Sequence, residues 1–144
     1  MFDCELQMVK NYPQQITFRH SQQLRELGVS LIYLFGSVAE GNAHDLSDLD
    51  IGIVLQSEPS NDVSVLYNTL YDIFTEIFPG EKVDIVFLQR TGLEMRFDAV
   101  THGILLFEAG KNSHYDFAER IRLLYADFQP HLKEFDEQVL ERIH

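Results

Sequence analysis

Two apolar runs, Leu31–Phe35 and Ile51–Leu55, follow one another in the chain, and the polar stretch between them opens with Gly36-Ser37 and closes with Asp48-Leu49-Asp50. Short runs of branched and aromatic residues bounded by turn formers are the pattern of buried β-strands. Two such strands bring the ends of their connection to one edge of a sheet. A glycine, a serine and two aspartates are therefore gathered at the mouth of a β-layer.

Successive side chains of a strand point to opposite faces, so Asp48 and Asp50 share a face, about 6.6 Å apart along the backbone. Magnesium takes oxygen ligands in near-octahedral geometry and is commonly held by one or two carboxylates together with substrate phosphates. The segment Lys82–Leu88 reads as a third buried strand with one acid, Asp84. A carboxylate in apolar surroundings is costly unless paired or bound to metal, which makes Asp84 the third candidate ligand and Lys82 its alternative partner. If the two acidic strands are neighbours, at about 4.8 Å, all three carboxylates can converge. Two Mg2+ ions about 3.5–4 Å apart would then serve the attacking oxygen and the leaving group.

Gly36 and Ser37 suit a different task. A glycine lets the backbone approach a ligand closely, and a serine opening a helix presents its hydroxyl and nearby N–H groups to an anion. Ser37-Val38-Ala39-Glu40 reads as a first helical turn ended by Gly41-Asn42. Gly36 and Ser37 are thus expected to bind the β- and γ-phosphates of a nucleotide. The plainer reading of Asp48 and Asp50 is a turn after residues 42–47, and of Gly41 and Ser47 a braced loop.

Leu34-Phe35-Gly36-Ser37, the ten-residue spacer Val38–Ser47 and Asp48-Leu49-Asp50 together resemble the signature of the polymerase-β-type nucleotidyltransferases. The short chain and the later Asp84 strand resemble, more narrowly, the minimal nucleotidyltransferase (MNT) family. The resemblance runs from about residue 29 to residue 108. It implies a polymerase-β-like α/β fold, catalytic and metal-binding roles for Asp48, Asp50 and Asp84, nucleotide binding by Gly36 and Ser37, two Mg2+ ions, and ATP as substrate. It further implies an antitoxin that transfers AMP to a tyrosine hydroxyl of a HEPN-domain ribonuclease toxin. One departure is visible: relatives often carry arginines in the spacer, where this chain has Glu40 and His44.

Composition narrows the alternatives. With 23 acidic against 11 basic residues, the net charge is −12, which disfavours broad binding to nucleic-acid phosphates. No stretch approaches the roughly 20 apolar residues of a membrane span, and residues 1–5 lack the basic start of a secretory signal, so the chain is expected in the cytoplasm. The single cysteine, Cys4, excludes an internal disulfide framework, and no two of the 6 histidines show helical metal spacing.

The remaining pattern predicts one domain over 1–144, with a core of about 14–108 and a helical segment of about 113–142. A helix after Pro13 ends at Gly28; strands follow at 31–35 and 49–55; Val63, Leu66, Leu70, Ile73, Phe74 and Ile77 mark a helix ending at Pro79-Gly80. After the Asp84 strand, Thr91 is expected to cap a helix to about Val100, and a short strand spans 104–107. From Ser113 apolar residues recur at helical spacing, with Pro130 expected to kink or divide the element. The fold class is α/β: a small mixed sheet flanked by helices, with a long C-terminal helical segment. Two other functions share these features, transfer to a small hydroxylated molecule such as an aminoglycoside, and a non-catalytic antitoxin acting by occlusion. A homo- or hetero-oligomer is compatible with the long apolar helix face.

Overall fold

The computed structural model describes residues 16–36, 48–59 and 62–143, with side chains as far as Phe128. Helix α1 (Phe18–Glu26) is capped by Thr17, whose hydroxyl accepts the His20 backbone N–H at 3.2 Å; Pro13 lies outside the described residues. It stops where Gly28 turns at φ 82°, a conformation that glycine adopts without steric cost. Strand β1 (Val29–Phe35) follows, then β2 (Leu49–Leu55), α2 (Ser64–Ile77), β3 (Val83–Phe87), a 3-10 turn at Leu88–Arg90, α3 (Leu93–His102), β4 (Ile104–Glu108) and α4 (Ser113–Ile143).

The strands form a mixed sheet in the order β3-β2-β1-β4. Strand β1 runs antiparallel to both β2 and β4, whereas β2 and β3 are parallel, joined by the crossover helix α2. Each face of the sheet has its own core, which explains why β1 and β2 read as continuous apolar runs. On one face Leu34, Leu49, Ile51, Ile53 and Ile85 pack with Leu24 of α1 and Leu70, Ile73 and Phe74 of α2. On the other, Leu31, Tyr33, Phe35 and Val54 pack with Val100 of α3 and Phe117, Ala118 and Ile121 of α4.

Polar contacts set the angles between these layers. Buried His20 bonds through Nδ1 to the Thr17 hydroxyl and through Nε2 to Glu76 Oε2 at 2.8 Å, tying α1 to α2. That bond holds the Glu76 carboxyl below its usual range. On the opposite face the Tyr33 hydroxyl lies 2.7 Å from His114 Nδ1 of α4. Burial pushes the phenol pKa up and the imidazole pKa down, so this is a hydrogen bond between two neutral groups.

Three expectations are corrected. Thr91 does not cap α3: Gly92 takes that position, and the Thr91 hydroxyl donates to Leu88 O, closing the 3-10 turn. Pro130 does not divide the last helix, which is continuous from Ser113 to Ile143. A proline removes one ladder bond and can be carried by the turns on either side of it. Strand β3 is also not buried on both faces: it is an edge strand, with Val83, Ile85 and Phe87 buried and Asp84 exposed. Among the described residues no helix is long and apolar enough to cross a membrane.

The Tyr33–His114 bond joins α4 to the central strand, so Tyr33→Phe is expected to destabilise the fold by about 1 kcal/mol, the usual net value of such a bond. Thermal denaturation of the wild type and this variant measures it as a lowered midpoint.

Candidate active site

The site lies where β1 ends and β2 and β3 begin. Alternation decides which side chains meet there. Because Leu49, Ile51 and Ile53 point into the α1/α2 core, Asp48 and Asp50 face the other way, on the side that carries Phe35 and Val54. Strand β3 behaves alike: Val83, Ile85 and Phe87 enter the first core and Asp84 projects from the opposite face. In the parallel ladder Asp50 stands directly opposite Asp84. Two carboxylates are therefore held side by side on neighbouring strands, and Asp48 lies two residues before Asp50 on the same face.

Gly36 completes this edge. It follows β1 with φ 80°, and a Cβ placed on it would overlap Asp50 Oδ2 and come within 3.2 Å of Asp50 Cγ. The missing side chain is what lets the Asp50 carboxylate rest against the turn. Ser37, Glu40, Gly41, His44 and Ser47 lie outside the described residues, as does Cys4.

The electrostatics follow from this crowding. Burial pushes the Asp50 carboxyl above its ordinary 3.8, and the negative charges of Asp84 and then Asp48 push it further. Asp48 is half-buried, and its Oδ1 lies 3.9 Å from the Lys82 ammonium. Sequence reasoning considered Lys82 as a partner for Asp84; the ladder places it beside Asp48 instead. A spacing of two puts Lys82 on the face of Asp84, and the register with β2 is what assigns it to Asp48.

Among the described residues no three His, Cys, Asp or Glu side chains are gathered tightly enough to form a ready-made metal cage. The three acids share a face and an edge, and their like charge opposes closer approach. The donor set nevertheless fits a hard divalent cation. All three groups offer carboxylate oxygens, Asp50 carries repulsion that a cation would relieve, and exposed Asp84 leaves room for substrate phosphates to complete the coordination.

Residues 20–112 match the family described as Polymerase beta, Nucleotidyltransferase. The chain belongs to this family. It is a nucleotidyltransferase, and the matched span holds the three acids and Gly36. No curated protein gives a significant match. Among solved structures, a chain from a crystal structure of a toxin–antitoxin with AMP-PNP is 25% identical, with a TM-score of 0.65, covering 83% of this chain and 94% of that one. A chain from the structure of a tri-AMPylated Shewanella oneidensis HEPN toxin in complex with MNT antitoxin is 20% identical, TM-score 0.59, covering 83% and 95%. A chain from the MntA-HepT toxin–antitoxin structure gives 20%, 0.59, and 83% and 96%. The last two likenesses are of fold.

Two outcomes follow for this nucleotidyltransferase. Gly36→Ala is expected to displace the Asp50 carboxylate and to destabilise the turn by about 1 kcal/mol or more, because an L-residue is placed at positive φ; thermal denaturation and nucleotidyl-transfer assays measure the two effects. Asp50→Asn is expected to raise the melting temperature at pH 7 while removing transfer. The folded-state pKa of Asp50 lies above its unfolded value, so the charged form costs stability above that pKa. The gain should shrink as the pH falls through the raised pKa, because the wild-type group is then protonated too. Melting curves from pH 7 down to pH 4 read the trend.

Proposed function

We propose that this chain transfers AMP from ATP to a protein hydroxyl, and that the acceptor is a tyrosine of a HEPN-domain toxin for which the chain is the antitoxin. The observation that carries this reading is the in-register Asp50–Asp84 pair, with Asp50 packed against the glycine turn. Support for the donor and acceptor comes from the relatives: one toxin–antitoxin structure contains AMP-PNP, and another holds an AMPylated HEPN toxin with its MNT antitoxin.

In the transfer, the acceptor oxygen forms a bond to the α-phosphorus, the bond from that phosphorus to the bridging oxygen of the β-phosphate breaks, and pyrophosphate leaves. The hydroxyl proton passes to Asp84, which is exposed on the face where an acceptor can approach. Asp48 and Asp50 would hold two Mg2+ ions, with Asp84 sharing one; when bound, these ions neutralise phosphate charge and align the attacking and leaving oxygens. Gly36 and Ser37 are assigned the β- and γ-phosphates, which backbone N–H groups and a hydroxyl at such a turn can bind. In-line positioning and charge neutralisation supply most of the rate.

Co-expression of the chain with a candidate HEPN toxin, followed by intact-mass measurement of the toxin, tests the reading. The toxin is expected to gain one or more AMP units, and the Asp48→Asn/Asp50→Asn variant is expected to lower the transfer by about 100-fold or more. Full neutralisation by that variant with no mass gain would favour occlusion. Label transferred from ATP to an aminoglycoside and not to the toxin would favour the small-molecule acceptor.

A further inference from the structure

The spacer of this chain, residues 38–47, holds no arginine or lysine, and 23 acidic residues outweigh 11 basic ones. A triphosphate with four negative charges nevertheless has to settle beside three aspartates. Metal ions offset part of that charge, but the leaving pyrophosphate needs a protein cation as its own charge grows.

The parallel ladder shows where one stands. It pairs Leu49 with Val83 and Asp50 with Asp84, so one step earlier Asp48 is matched with Lys82. The Leu49 N–H donates to Lys82 O at 2.8 Å, which locks the lysine backbone to the acidic strand. Lys82 and Asp84 are two residues apart and so share a face of the extended chain. Among the described residues, the ion pair that involves a site acid is the one between Lys82 and Asp48. Other arginines are placed elsewhere: Arg19 binds Glu76, Arg25 binds the carbonyl of Ala109, and Arg96 and Arg120 line a cavity with Ser30 and Gln56 at the far end of β1 and β2.

The contact with Asp48 is long, at 3.9 Å, and the lysine side chain is 82% exposed. An exposed, screened pair of this kind adds little to stability, too little to explain the lysine as a structural brace. Its ammonium is a flexible, strongly hydrated point charge on a four-carbon stem, suited to leaving one anion for another.

We infer that Lys82 binds the β- and γ-phosphates of the nucleotide and neutralises the pyrophosphate as it leaves. The lysine rests on Asp48 in the free protein and turns to the phosphate tail when nucleotide and metal occupy the acids. This inference rests on the nucleotide-transfer reading of the site.

Its test is direct binding rather than turnover. The intact wild-type chain, Lys82→Gln and Lys82→Arg are titrated calorimetrically with pyrophosphate and separately with AMP, each with Mg2+ present, after melting curves establish equal stability. Loss of one charge-assisted contact is expected to weaken pyrophosphate binding by Lys82→Gln about tenfold, while AMP binding changes less than about twofold and Lys82→Arg stays within about threefold of wild type. Unchanged pyrophosphate affinity in Lys82→Gln overturns the inference, as does an equal loss for AMP, or no pyrophosphate binding by the wild type. Failure to AMPylate a toxin, with the pyrophosphate effect intact, would instead remove the protein-acceptor reading and leave Lys82 in its role.

Discussion

Two like charges held opposite each other by a backbone ladder are the constraint around which this protein is arranged. Asp50 and Asp84 repel, and neither strand can slip by one residue without turning its apolar side chains out of the core. The cores on the two faces of the sheet therefore enforce the repulsion. Burial first, and then the charges of Asp84 and Asp48, push the Asp50 pKa up, and Gly36 shows the accommodation, an absent side chain where the carboxylate needs space. A hard cation bound between these carboxylates would relieve that repulsion.

The helices serve that arrangement unequally. The crossover helix α2 fixes β2 and β3 as parallel neighbours, and through this it brings Asp84 to Asp50. Helices α3 and α4 cover the acid-bearing face from its other end, packing on Leu31, Tyr33 and Val54. The neutral Tyr33–His114 hydrogen bond adds a polar lock within that second core. The acids themselves lie at the opposite end of the same face.

Much of this was legible in the amino-acid order because it is local. The strand pair around the spacer, the helix ending before Gly28, the crossover helix and the acid-bearing third strand all follow from apolar periodicity and turn residues, and the structure places β2 and α2 nearly where that reading puts them. What escaped depended on distant partners. Nothing near Asp84 in the chain reveals that β3 is an edge strand, so the apolar run around it suggested burial. The partner of Lys82 follows from a ladder register between strands far apart in sequence. Similarly, the pairing of His20 with Glu76 joins residues 56 positions apart. Thr91 and Pro130 failed for the opposite reason: local rules name a residue's preference, and a competing bond to Leu88 O or a long continuous helix can override it.

A crystal of the chain with Mn2+ and AMP-PNP, examined by anomalous scattering at the manganese edge, tests the central claim most directly. The expected result is an anomalous peak within about 2.3 Å of carboxylate oxygens from Asp50 and at least one of Asp48 and Asp84, with the triphosphate completing the coordination, as for a small hard cation. Manganese bound to the triphosphate with none of these aspartates as ligands, or located away from the end of β2, would contradict it.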